Sequence, residues 1–214
     1  LERIMRQIKK IISIGSNCIA TDWAHFLGIR EKSPVDNFAE FQIWKSSSLF
    51  TERFEKIIFK YPHSKRPSTE KEIKDYKYRS YVYLFNEGFQ IVHGDFDSRR
   101  FQRELKRRIK SFKKYVKRSE KDDDLWFVYS LNYNDENLTE SQLYRIKNSL
   151  PKSCSDKLIC LGIRGKNKNF ENVFKYYLEL DGEENYKWGN KQFAKELANE
   201  IEKKYQIKVL YEKK

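Results

Sequence analysis

Nucleophilic chemistry in this chain is easiest to place at Cys18. This residue closes the run Ile11-Ile12-Ser13-Ile14-Gly15-Ser16-Asn17-Cys18, where a short apolar stretch gives way to a Gly-Ser turn and then to a helical pattern. A thiol attacks only as its thiolate, and the outward-pointing N–H groups of a first helical turn favour that anion. The N–H groups around Gly15, Ser16 and Asn17 have no partner within a helix and can also hold an oxyanion. The plainer alternative is a small buried residue on the inner face of the helix, a common state for unpaired cysteines.

A thiol nucleophile needs a base. His93 ends an apolar run and is followed by Gly94-Asp95-Phe96. A strand-end histidine faces a cleft more often than a mid-strand one, and the glycine permits close approach of substrate or backbone. A carboxylate would orient the ring and raise its basicity, and Asp36 and Asp95 are the candidates. The alternative for His93 is a hydrogen-bonded side chain at a sheet edge. His25 lies seven residues beyond Cys18; that is about two helical turns, too far for a direct bond along one straight helix. His63 falls in a charged stretch and is expected on the surface. Ser16 is a rival nucleophile, but hydrolases with a serine at such a turn usually draw their base from near the C-terminus, and no histidine follows His93.

Charge supplies a second function class. The chain has 44 Lys and Arg against 31 Asp and Glu, a net charge of +13. Residues 99–121 hold twelve basic and two acidic residues, so +10 of that charge sits in one stretch. Phe101, Leu105, Ile109, Phe112 and Val116 recur at steps of four, four, three and four, which predicts a helix over residues 99–118 with one apolar stripe. Arg99, Arg100, Arg103, Arg107, Arg108 and Lys114 then belong to a cationic face suited to nucleic acid, an anionic glycan, phospholipid or an acidic partner. Only Tyr115 adds an aromatic ring near that face, so single-strand stacking is not indicated. A non-catalytic anion-binding or partner-binding protein, with Cys18 merely structural, is therefore the alternative to an enzyme.

The elements that must position these residues follow from pattern. Residues 8–14 read as a buried strand, 17–27 as a helix ended by Gly28, 41–59 as a helix, and 61–78 as a charged surface excursion with two prolines. Residues 81–85 and 89–93 read as two strands around Asn86-Glu87-Gly88, spaced for a hairpin. After the basic helix come strand 125–131, helix 139–150, strands 157–162 and 174–180, helix 191–205 and strand 207–211. This alternation predicts a single α/β domain over residues 1–214, a largely parallel sheet flanked by helices.

Several classes are excluded. No run reaches the length of a membrane span, and the apolar stretch 11–14 is too short for a signal peptide. Met5 is the single methionine, so the native start is expected there, with residues 1–4 either added for expression or an upstream extension. Three irregularly spaced cysteines argue against a disulfide framework and for a reducing cytoplasm. No zinc spacing, nucleotide-binding loop or helix-turn-helix pattern occurs, so neither metal nor cofactor is implied.

The order of these features resembles the family called "putative papain-like cysteine peptidases". Ile12-Ser13-Ile14-Gly15-Ser16-Asn17-Cys18, Leu27-Gly28-Ile29-Arg30 and Ser33-Pro34-Val35-Asp36-Asn37 resemble that family's S-L-G-x-x-C turn, G-x-R and P-F-D-W segments. His93-Gly94-Asp95-Phe96 looks like its H-D-F block, and Arg99-Arg100-Phe101 and strand 126–131 have counterparts, so the likeness spans residues 10–165. The resemblance implies Cys18 as nucleophile, His93 as base and Asp95 or Asp36 as orienting acid. It also implies an acyl-containing substrate, conceivably linked to a surface glycan. Val35 stands where the family has Phe, Asn37 where it has Trp, and Gly94 is inserted before Asp95.

Overall fold

The computed structural model describes residues 6–15, 19–35, 39–41, 52–76, 79–86, 89–130, 138–163, 170–180 and 190–211. Ser16, Asn17, Cys18 and Asp36 lie outside this set. In chain order the elements are β1 (Gln7–Ile8), β2 (Lys10–Ser13), α1 (Ile19–Phe26), β3 (Arg30–Glu31), β4 (Ala39–Phe41), α2 (Glu52–Phe59), β5 (Ser64–Pro67), α3 (Glu70–Tyr76), β6 (Tyr81–Leu84), β7 (Phe89–Ile91) and α4 (Arg99–Arg118). There follow β8 (Leu125–Ser130), α5 (Glu140–Ser149), α6 (Lys152–Ser155), β9 (Leu158–Ile163), α7 (Phe170–Val173), β10 (Tyr176–Leu180), α8 (Lys191–Tyr205) and β11 (Lys208–Val209).

The apolar runs of β2, β8, β9 and β10 carry buried residues on both faces, the signature of a covered parallel sheet. They assemble in the order β10-β9-β8-β2-β3, and every neighbouring pair is parallel. Period-two alternation divides their side chains between two cores. Ile11, Trp126, Val128, Ile159 and Leu161 pack with Trp23 of α1 and Leu197 and Ile201 of α8. Trp23 donates from Nε1 to the Ala194 carbonyl at 3.1 Å, so this large buried ring leaves no donor unmet. Ile12, Phe127, Tyr129 and Cys160 belong to the opposite core, with Leu105, Ile109 and Phe112 of α4.

A second sheet contributes to that opposite core. It is antiparallel, in the order β4-β7-β6-β5, with Tyr83 opposite Ile91 and Leu84 opposite Gln90. The chain is thus mixed α/β, with one parallel sheet, one antiparallel sheet and eight helices among the described residues.

Helices with strong periodicity begin and end where their pattern predicts. α4 covers Arg99–Arg118 and α8 covers Lys191–Tyr205. α5 opens on a capping box: Gln142 N–H donates to the Thr139 hydroxyl and the Thr139 N–H to Gln142 Oε1. Gly28 ends the first helical segment at φ 72°, a conformation nearly closed to residues with a Cβ.

Three expectations are corrected. The strand over residues 8–14 is two strands: β1 pairs with β11, and β2 enters the five-stranded sheet, the chain bending at Lys9. The helix expected over residues 41–59 cannot include Phe41, because Ala39–Phe41 is paired with β7; the described helix is Glu52–Phe59. Cross-strand hydrogen bonds from a distant segment outweigh a weak local helical pattern there. The antiparallel part also extends beyond two strands, since β4 and β5 flank β7 and β6.

Candidate functional site

β2 runs out through Ser13, Ile14 and Gly15, and α1 opens at Ile19. Positions 16–18 therefore connect the carboxyl end of a central parallel strand to a helix start. β2 has β3 on one side and β8 on the other, so the chain connections diverge at β2. Open α/β sheets place ligands outside the strand ends at such a switch point.

Packing at this point is tight. A Cβ on Gly15 would stand 2.5 Å from the Ser130 nitrogen and 3.0 Å from its oxygen, so only glycine brings the end of β2 against the end of β8. Ser13 and Thr21 bracket the turn from β2 and α1, and both are at least 96% buried. Among the described residues neither Ser13 Oγ nor Thr21 Oγ1 has a hydrogen-bond partner. An unmet buried polar group costs about 1–3 kcal/mol, so polar capacity is held at the turn at some expense in stability. Neither hydroxyl was singled out from the sequence; the available signal is a Ser and a Thr at otherwise apolar, inward-facing positions.

His93 follows β7 by two residues and is half-buried. The backbone before it is fixed by the Arg79 N–H, which donates to the Val92 carbonyl at 2.9 Å. Gly94 is buried against the ring of Phe101 in α4, in a space that a Cβ would fill. Glycine at position 94 thus lets the His93 turn lie against the first turn of α4.

Asp95 is exposed, and its Oδ1 accepts from the Tyr83 hydroxyl at 2.8 Å and from the Asp97 N–H at 3.2 Å. The Tyr83 oxygen also lies 3.0 Å from Asp97 Oδ2, to which Lys65 Nζ donates at 2.6 Å. Burial, reinforced by the two carboxylates, pushes the Tyr83 hydroxyl up to about 12. The Lys65 ammonium holds the Asp97 carboxyl below its usual range, and Asp97 in turn raises Lys65. Tyr83 is the residue here that sequence reading missed, because it meets these loop carboxylates only through folding.

The remaining candidates are placed as follows. His25 is exposed in the last turn of α1, and exposed His63 stacks on Phe85 at 5.0 Å between ring centres. Cys154 and Cys160 are buried thiols outside any disulfide, and burial raises the Cys154 pKa, which keeps it an unreactive thiol. On α4, Arg107 and Arg108 both pair with Glu104, at 2.7 and 2.9 Å. Arg99, Arg100, Arg103 and Lys114 are exposed and make no ion pair with any described residue. Among the described residues no group of three or more His, Cys, Asp or Glu could hold a metal ion, and no helix is long and apolar enough to cross a membrane.

No curated protein and no solved structure matches the chain. A strand-to-helix cysteine segment at a sheet switch point and a strand-end histidine turn are the features by which a thiol hydrolase would be sought. Residues 9–156, more than half of the sequence, match the family described as "putative papain-like cysteine peptidase", and the chain belongs to that family.

Proposed function

We propose that the chain is a cysteine-dependent hydrolase or acyl transferase with Cys18 as nucleophile and His93 as base. His93 takes the thiol proton, and the thiolate attacks the carbonyl carbon of an amide, ester or thioester. N–H groups around Gly15, Ser16 and Asn17 hold the oxyanion. Collapse breaks the bond to the amine, alcohol or thiol, which takes the proton back from His93. Water or another acceptor then attacks the thioester and frees Cys18. Asp36 or Asp95 orients the ring; Oδ1 of Asp95 already accepts from Tyr83 and the Asp97 N–H, which leaves its Oδ2 for that role.

One observation carries the reading. Ile14 precedes the Gly15 turn, Val35 precedes Asp36, and Ile91 and Phe96 flank the His93 segment; all four belong to one buried cluster. Three separate chain segments bearing the proposed machinery are therefore anchored in a common core.

The test is alkylation by iodoacetamide at pH about 6, where a thiol of ordinary pKa near 8.5 is almost wholly protonated. Mass spectrometry of the folded protein is expected to find Cys18 labelled and Cys154 and Cys160 untouched. Cys18→Ala is expected to abolish hydrolysis of a small activated ester, and His93→Ala to lower it by about 10²–10⁴. Full ester hydrolysis by Cys18→Ala would overturn the proposal.

A further inference from the structure

We infer that the outer face of α4 is a docking surface for an anionic lipid bilayer. The inference does not rest on the chemistry of Cys18. Five of its cations, Arg99, Arg103, Lys110, Lys114 and Lys117, are exposed and make no ion pair with any described residue. At 100° per residue they fall within about 60° of the helix circumference, and at 1.5 Å per residue they span about 27 Å of its axis. Leu105, Ile109 and Phe112 point the other way, into the core. The acid of this helix, Glu104, sits to one side and is held by Arg107 and Arg108, so it does not neutralise the row.

The row broadens onto the neighbouring helix. Lys113 pairs with Glu55 of α2 at 3.1 Å, and Lys106 Nζ stands 4.8 Å from the Phe59 ring centre. α2 is thereby fixed alongside α4, and its Lys56 and following Lys60 are exposed, one turn apart, with no ion pair to any described residue. Two adjacent helices therefore present a broad field of cations.

Shape selects the occupant. A duplex strand winds through most of a turn over this length, about 34 Å per turn, so a straight row of cations would follow it for only a few phosphates. A single nucleic-acid strand calls for aromatic platforms, and no exposed large apolar side chain lies on α4. A flexible acidic polysaccharide would have to be ordered along the row at an entropic cost. A bilayer surface is flat on this scale, and its anionic headgroups diffuse laterally to meet every cation at once. Each Lys or Arg brought near such a surface strengthens binding about fivefold. With the apolar stripe committed to the core, contact is electrostatic and without insertion, hence reversible and salt-sensitive.

The test is sedimentation of the whole chain with vesicles of phosphatidylcholine containing 30 mol % phosphatidylserine, in about 0.1 M salt. Binding is expected there, with none to pure phosphatidylcholine and release in about 0.5 M salt. The triple variant Arg103→Gln, Lys110→Gln, Lys114→Gln is expected to lose about hundredfold in partition. Lys152→Gln, Lys203→Gln, Lys208→Gln removes the same charge elsewhere on the surface and is expected to lose less than about tenfold. Equal loss in the two triples, no binding to the anionic vesicles, or tighter binding to duplex DNA or a soluble acidic polysaccharide at the same salt would each overturn the inference. Circular dichroism of both triples checks that the helix persists.

Discussion

The two ends of α4 are both fastened by polar side chains, yet they are built on opposite principles. At the C-terminal end the ammonium of buried Lys157 reaches under the helix terminus. It donates to the carbonyls of Ser119 and of Asp122, the latter at 2.7 Å. The Ser119 hydroxyl donates to the Val116 carbonyl at 2.6 Å, and Ser153 and Cys154 close the cluster. Here a cation reaches the Ser119 carbonyl, which the helix leaves without an intrahelical partner at the end where its dipole is negative, and the Asp122 carbonyl in the turn that follows. At the N-terminal end, Ser98 makes no side-chain cap, and Tyr83, Asp95, Asp97 and Lys65 form a partly exposed network around the turn that carries His93. Burial makes the first cluster strong and fixed. Solvent screening leaves the second weak, adjustable, and next to the proposed chemistry.

The largest expected effect breaks the buried end. Lys157→Ala removes the partner of two carbonyls and is expected to cost about 3 kcal/mol. For a chain of this size that lowers the melting temperature by roughly 6–12 °C, read by calorimetry. Lys157→Met retains most of the stem and is expected to lose nearly as much. A Met variant as stable as the parent would mean that packing, not the ammonium, anchors this end.

At the other end Tyr83→Phe deletes a single hydroxyl. It is expected to cost about 1 kcal/mol, while slowing alkylation of Cys18 severalfold through the loosened His93 turn. Lys157→Met should leave that labelling rate unchanged in the folded protein. If the two variants slow labelling equally, the distinction between a structural end and a functional end fails.

Acid titration sharpens the contrast on the antiparallel side. Arg66 holds the Glu72 carboxyl down to about 2, helped by the Thr69 N–H. A folded-state pKa below the unfolded value stabilises fully above about 4.5 and is lost as pH falls toward 2. Stability should therefore fall between these pH values by more in the parent than in Glu72→Gln, the difference being about 1 kcal/mol after solvent screening.

The smallest effect is that of Lys65→Met. Its pair with Asp97 is exposed, so its loss should leave the melting temperature unchanged within error in 1 M salt. Asp97, held low by Lys65, stabilises above its ordinary pKa and loses that contribution as pH falls; Lys65, raised, does so below its ordinary pKa and loses it as pH rises. A measurable destabilisation in 1 M salt would show that this end is not screened.

What could be read from residues alone was local and periodic. The bounds of α4 follow from Phe101 to Val116, the start of α5 from Thr139, and the end of the first helical segment from Gly28. The alternation of runs pointed to the parallel sheet, and the Gly-Ser-Asn-Cys run to the strand-to-helix connection. These signals arise within a few residues, where backbone sterics and one buried face decide conformation.

Tertiary structure decided whatever depends on partners far apart in the chain. It placed β4 on β7, split residues 8–14 between two sheets, and committed Asp95 to Tyr83. It required glycine at 15 and 94, one against Ser130 and the other against Phe101. It sorted the cations of α4 into those paired with Glu55 and Glu104 and those left facing outward. Periodicity records which face of a helix is polar, but only packing determines which of those charges are already neutralised, because an ion pair depends on a distance in space that separation along the chain does not encode.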